Sequence, residues 1–207
     1  MAKEYCVIIG DIVQSKEIKN RRVFQRKFSG ILRKINKEFA SNVVSKFTIT
    51  IGDEFQGVLK DLSQSYNIID KIQEMFYPVK LRFGVGWGKI TTSIKKEAVG
   101  MDGPAFHRAR EAIEEAEKTK LGIIFKLNKL KENLSINTLV HCLENIKNSW
   151  TARQREVTAL YLKYNNQEKV ARLLKVKQPS VAAVLTSAQW NWYSEVREGV
   201  NTLLKLV

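Results

Sequence analysis

Residues 43–59 read VVSKFTITIGDEFQGVL. Two β-branched or aromatic runs, Val43 to Ile51 and Phe55 to Leu59, flank Gly52-Asp53-Glu54, and that composition predicts a hairpin with an acidic tip. Upstream, Val23, Phe24, Phe28, Ile31, Leu32, Ile35 and Phe39 recur at spacings of three and four between Lys19 and Phe39, while Lys and Arg fill the opposite face. This is the pattern of a long amphipathic helix. Before it, Tyr5 to Val13 is a continuous apolar run suited to a central strand covered on both faces. Downstream, a helix is expected from Leu62 to Phe76. Pro78 interrupts, and Val79 to Ile90 then alternates Leu81, Phe83, Val85 and Trp87 against Lys80, Arg82, Gly84 and Gly86, the period of a half-covered strand.

The resulting order, β-α-β-β-α-β, is the ferredoxin-like arrangement, so the expected fold class is α+β: an antiparallel sheet backed by two helices. A sheet covered on one side leaves its second face to be filled. Pro104 to Lys118 supplies a further helix, started by Asp102-Gly103-Pro104 and carrying Phe106, Ala109, Ala112, Ile113 and Ala116 on one side. Leu121 to Leu127 suits one more strand and Ile136 to Ile146 a connecting helix. The expected division is an α/β domain over residues 1–147 and an all-helical domain over 148–207.

Bulk chemistry narrows the partners. A formal charge of +14 over 207 residues draws the chain toward phosphate, whether on nucleic acid, membrane or nucleotide. Cys6 and Cys142 lie far apart in apolar surroundings without zinc or redox spacing, which predicts two core thiols in a reducing compartment. The apolar run near the N-terminus is too short for a signal-peptide core and no stretch approaches a membrane span, so the expected location is cytoplasmic.

The C-terminal sixty residues carry the sharpest local signal. Thr151 is expected to cap a helix running to Lys163, and Gln167 to start a second. Val170 to Leu185 places small Ala171 where two helices cross closely, Leu174, Val176, Val181 and Leu185 where they share a core, and Pro179 in the first turn of the later helix. This pattern resembles the helix-turn-helix of bacterial regulators, whose second helix enters the major groove of double-stranded DNA. Lys175 stands where such turns commonly have glycine, so its side chain must be accommodated at a left-handed position. Gln178, Ser180, Ala182, Ala183 and Thr186 are left facing outward as candidate base contacts, with Arg172 and Lys177 as phosphate contacts. An ordinary helical hairpin used for packing would carry much of the same pattern. Ten basic against four acidic side chains from Lys147 onward favour the phosphate-seeking alternative.

In the first domain, Asp11 follows the first strand and Asp53 sits at the hairpin tip, and the ferredoxin-like order brings those strands side by side. Two neighbouring carboxylates suit magnesium or manganese, and the backbone of Ile12, Val13, Gln14, Ser15 and Lys16 is placed to cradle a triphosphate. Taken singly, each aspartate also suits a cap or a turn. Three segments, Ile9-Gly-Asp-Ile-Val-Gln-Ser15, Thr50-Ile-Gly-Asp-Glu-Phe55 and Arg82-Phe-Gly-Val-Gly-Trp-Gly88, occur in the order seen in class III nucleotide cyclases and related palm domains. Gly100 to Arg110 resembles their glycine-to-arginine helix. The resemblance implies that Asp11 and Asp53 form the metal pair and that His107 and Arg110 act catalytically on the transferring phosphoryl group. Ile49 stands where those cyclases usually have a base-reading lysine, which argues against ATP cyclisation. The hairpin also resembles the acidic-phenylalanine signature of diguanylate cyclases.

Across nearly its whole length the chain resembles the SatD family, through Ile8-Ile-Gly-Asp-Ile-Val-Gln-Ser-Lys16, Ile49-Thr-Ile-Gly-Asp-Glu-Phe-Gln-Gly57 and Gly103-Pro-Ala-Phe-His-Arg-Ala-Arg110. Two readings stay open on the sequence. The first is a homodimeric DNA-binding transcriptional regulator whose cyclase-like domain senses a nucleotide or metal-nucleotide. The second is a metal-dependent nucleotidyl cyclase or related phosphoryl-transfer enzyme with a basic DNA-binding tail.

Overall fold

The computed structural model describes residues 3–15 and 20–207. Lys16, one of the expected phosphate-cradling residues, lies outside them. The chain divides into two compact units, Met1–Thr138 with Asn201–Val207, and Leu139–Val200. This division falls inside a helix and returns the last seven residues to the first unit, whereas the sequence placed a boundary at 147/148.

The first unit follows the expected order: β1 (Glu4–Ile12), α1 (Arg21–Glu38), β2 (Val43–Ile49), β3 (Phe55–Leu59), α2 (Ser65–Phe76) and β4 (Leu81–Lys89). It continues with α3 (Pro104–Thr119), β5 (Ile123–Lys126) and α4 (Leu130–Ser149), which runs on into the second unit. The strands lie side by side as β2-β3-β1-β4-β5. All neighbours are antiparallel except β4 and β5, which are parallel. Strands β1 to β4 thus form the antiparallel sheet expected from the sequence, and the added strand β5, whose direction the sequence left open, joins it in parallel. Helix α3 is a crossover connection, and a crossover returns the chain to the end of the sheet from which the preceding strand began.

Alternation along the strands sends side chains to two separate layers. On one face Phe55 packs edge-on against Phe28 of α1 (centroids 5.3 Å, 90°) and against Phe83 (5.9 Å, 86°), and Phe28 meets Phe76 of α2 at 5.2 Å. These contacts bury the apolar stripe of α1, including Ile31, Leu32 and Ile35. On the other face Val7, Ile9 and Val58 form a cluster with Ala105, Phe106, Ala109 and Ile113 of α3. Gly84 and Gly86 let α3 lie directly on β4, because a Cβ at either would come within 3.0 Å of the backbone of Ala109.

The second unit has its own core. Thr151 caps α5 (Ala152–Tyr164) in a reciprocal capping box with Gln154. After it come α6 (Gln167–Leu174), α7 (Gln178–Ser187) and α8 (Trp190–Leu206). Val157, Val170, Ala171, Val181 and Leu185 are buried together where α5, α6 and α7 meet. Trp150 donates its indole N–H to the Ala188 carbonyl (2.8 Å) and its ring packs on Tyr193 (4.7 Å).

The sequence expected both cysteines in the core. Cys6 is buried, and burial pushes its thiol up. Cys142 is exposed, because on α4 the neighbouring positions Val140, Leu143 and Glu144 are the ones turned inward. Two helical glycines have open surroundings: the nearest atom to a Cβ at Gly30 would be 3.9 Å away, and nothing lies within 4 Å at Gly199. Gly30→Ala and Gly199→Ala are each expected to stabilise the protein by about 0.5–1 kcal/mol through lower chain entropy in the unfolded state, read as an upward shift in the urea midpoint.

Candidate functional site

Antiparallel register gathers the acidic residues at one end of the sheet. Gly10 of β1 lies opposite Phe55 of β3, and Asp11 opposite Arg82 of β4. Asp53 sits in the tight turn of the β2–β3 hairpin, closed by Glu54 N–H donating to Ile51 O (2.9 Å), with Gly52 at φ +63°. A positive φ at the first central residue alone is the pattern of type II′ hairpin turns, which need glycine there. Asp53 is close enough for its charge to act on Asp11.

The structure adds partners that the sequence reading did not assign. Arg82 binds Asp11 through a fork, Nε to Oδ1 at 3.0 Å and Nη2 to Oδ2 at 2.8 Å, and its Nη1 also reaches Glu117 Oε1 on α3 at 2.8 Å. Arg110, also on α3, forks onto Glu54, with Nη2 to Oε1 at 2.8 Å and Nη1 to Oε2. Period-two alternation was the available signal, since it puts Arg82 on the face of Gly84 and Gly86, the face that α3 covers. Burial pushes the Asp11 carboxyl above its ordinary value. The Arg82 pairing opposes that rise, and the charges of Asp53 and Glu117 reinforce it.

The remaining expected residues are distributed around this cluster. Ile12 is buried, and the Val13 N–H donates to Lys80 O (3.0 Å), so it is already committed just beyond the end of the β1–β4 pair. Gln14 adopts a left-handed conformation (φ +57°) and is exposed. Ser15 lines a small cleft with Arg21, Phe24, Gln25, Phe28, Gly52 and Asp53. Arg21 is the first residue of α1, where Asn20 caps the helix by accepting from Val23 N–H. His107 is 66% exposed and its Nε2 lies 2.8 Å from Asp102 Oδ1. Asp102 also accepts from Gly103 N–H at 2.8 Å, which with His107 holds its carboxyl below the ordinary range. Of the expected catalytic pair, only Arg110 is joined to the hairpin.

The sequence resemblance implies magnesium or manganese at Asp11 and Asp53. Both Asp11 oxygens are engaged by Arg82, and among the described residues no three His, Cys, Asp or Glu side chains form a group able to hold a metal ion. As arranged, the residues do not fit a divalent cation: a guanidinium takes up the carboxylate that would bind one.

In the second unit, Arg172, Lys177, Gln178, Ser180, Ala183 and Thr186 are exposed and Ala182 is half-buried. The link between α6 and α7 turns at Lys175, which takes the left-handed conformation (φ 54°, ψ 42°), with its N–H to Arg172 O and Val176 N–H to Ala171 O. Gln178 Nε2 donates to Gln167 Oε1 at 2.6 Å, tying together the first residues of the two helices.

The β-α-β-β-α-β core with its carboxylates at the β1 and hairpin ends defines an α+β domain of the nucleotide-cyclase-like palm type. The chain belongs to the SatD family, whose family model matches residues 5–204. No curated protein matches it. Similar solved structures include the catalytic core of a rhodopsin-guanylyl cyclase with converted specificity in complex with ATPαS, at 19% identity over 55% of this chain and 72% of that one, TM-score 0.46. A bacterial light-regulated adenylyl cyclase matches at 19% identity over 59% and 75%, TM-score 0.42. A regulator of polyketide synthase expression from Bifidobacterium adolescentis matches at 12% identity over 100% and 86%, TM-score 0.30. Among the described residues no helix is long and apolar enough to cross a membrane.

Proposed function

We propose that the protein is a cytoplasmic regulator that binds double-stranded DNA through α7, acting as a homodimer, and that its palm-type unit senses a nucleoside phosphate. The observation that carries this reading is the geometry of α6 and α7. They join through a three-residue link with Lys175 left-handed, bury Ala171 of α6 in one cluster with Val181 and Leu185 of α7, and leave the outward side of α7 exposed. That is what a helix entering the major groove requires, and exposed Arg172 and Lys177 flank it as phosphate contacts. A second copy supplies the second half-site contact that a lone short helix lacks. For the palm-type unit, Arg21 and Ser15 lie beside Asp53 at the N-terminus of α1, a position that favours phosphate. Cyclisation chemistry is disfavoured by Ile49 and by the Arg82 fork on Asp11.

The test is titration of labelled duplex DNA with the full chain across a salt series. Binding is expected to weaken steeply with salt, and Lys177→Ala should weaken all duplexes alike while lowering the slope of log affinity against log salt by about 1. No binding to any duplex at low salt would sink the proposal.

A further inference from the structure

The chemistry of the exposed α7 face narrows the DNA it suits. From Gln178 through Ser194 the chain contains no Lys, Arg, Asp or Glu, within a protein that is 27% charged. The cations near α7, namely Lys169, Arg172, Lys175 and Lys177, all precede it and are exposed. A groove of about 690 Å³ adjoining the same face is lined by Gln167, Ala182, Thr186, Gln189, Asn191 and Trp192 among others, again without a charge. Guanine presents two acceptors in the major groove and is read best by Arg or Lys; cytosine presents a donor and suits Asp or Glu. The face carries none of these. It carries amides and methyl groups, the partners of adenine and of the thymine methyl.

Gln178 is also held in a specific way. One of its two Nε2 hydrogens is given to Gln167 Oε1 at 2.6 Å. Its second Nε2 hydrogen and its own Oε1 remain for a base, and those two groups match adenine N7 and the adenine N6 amino group. We propose that α7 reads A·T base pairs, with Gln178 on adenine, Ala182, Ala183 and Thr186 offering methyl contacts to thymine, and Gln167 as a positioning residue that fixes the Gln178 amide. This inference rests on the DNA-binding reading above.

The experiment is competition of a labelled duplex from the full-length protein by A·T-only and G·C-only duplexes of equal length, at one salt concentration. The A·T duplex is expected to compete about tenfold or more better, as one bidentate base contact would give. Gln178→Ala should bring that ratio close to one. Gln167→Leu should lower it severalfold, whereas Gln167→Glu, which keeps the acceptor oxygen, should preserve the ratio while weakening binding to both duplexes. A loss of helix packing would change total affinity without changing the ratio. Binding with equal or reversed preference overturns the inference and leaves DNA binding standing. A ratio unmoved by Gln167→Leu removes Gln167 from the assignment. Failure to bind either duplex overturns the DNA-binding reading and this inference with it.

Discussion

Replacing Gly86 with alanine is expected to destabilise the palm-type unit by about 3 kcal/mol, among the larger effects of a single methyl group. The added Cβ would lie at or within 3.0 Å of the Ala105 carbonyl oxygen and of N and Cα of Ala109, all backbone atoms of α3. A flexible side chain can rotate away from such a contact, but a helix backbone packed on a sheet must move as a body, and α3 is held on that face by Ala105, Ala109 and Ile113. Gly84→Ala should behave alike, since its Cβ meets the Ala109 carbonyl and the Ile113 backbone. Urea melts followed by far-UV circular dichroism, with Gly30→Ala as the open-site comparison, measure the effect. A Gly86→Ala midpoint close to that of the unsubstituted protein would show that α3 does not bear on β4 as described.

The same two glycines show where sequence reading stops. Alternation of Phe83, Val85 and Trp87 with Gly84 and Gly86 reads as a strand with one covered face, because a pattern counts glycine as a missing apolar group. In the structure the glycine face is the one approached most closely, since absence of a side chain lets a helix backbone take its place. The long periodic elements were legible for the opposite reason: α1 and β1 each bury a continuous set of large side chains, and the ferredoxin-like order follows from them. The meeting of Asp11 with the hairpin was legible from topology. The pairings of Asp11 with Arg82 and of Glu54 with Arg110 were not, because which cation reaches a carboxylate depends on long side chains crossing from β4 and α3. In the second unit the unusual position of Lys175 was legible, since a helix-to-helix link of that length needs one left-handed residue. The tie between Gln167 and Gln178 links residues eleven apart on two helices, and no local pattern reports it.

Arg82→Met is expected to destabilise the protein by about 1–3 kcal/mol at neutral pH, because it leaves the part-buried Asp11 with two like-charged neighbours and without its counterion. Asp11→Asn should cost little or nothing. Its carboxyl is held above the ordinary value chiefly by burial, so the folded chain binds that proton more tightly than the unfolded chain does. The associated stability is fully present below the unfolded value, about 3.9, and is lost as pH rises through the higher folded value. Asparagine keeps the neutral form at every pH and removes that dependence, while Glu117 still pairs with Arg82. In Arg82→Met the same carboxyl rises further, so its deficit should shrink as pH falls and Asp11 takes up its proton. Combining Arg82→Met with Asp11→Asn should recover most of the loss, since no part-buried uncompensated charge remains and Glu117, the other partner of Arg82, is exposed to water. Magnesium offers a second readout: it should leave the unfolding midpoint of the unsubstituted protein unmoved, since Arg82 engages both Asp11 oxygens and among the described residues no three acidic side chains group to hold a metal ion. Urea melts of the four proteins at pH 5 and pH 7, with and without magnesium, measure both effects. If Arg82→Met melts like the unsubstituted protein at both pH values, the fork does not govern Asp11. If magnesium stabilises the protein with Arg82 in place, the guanidinium does not keep the cation out.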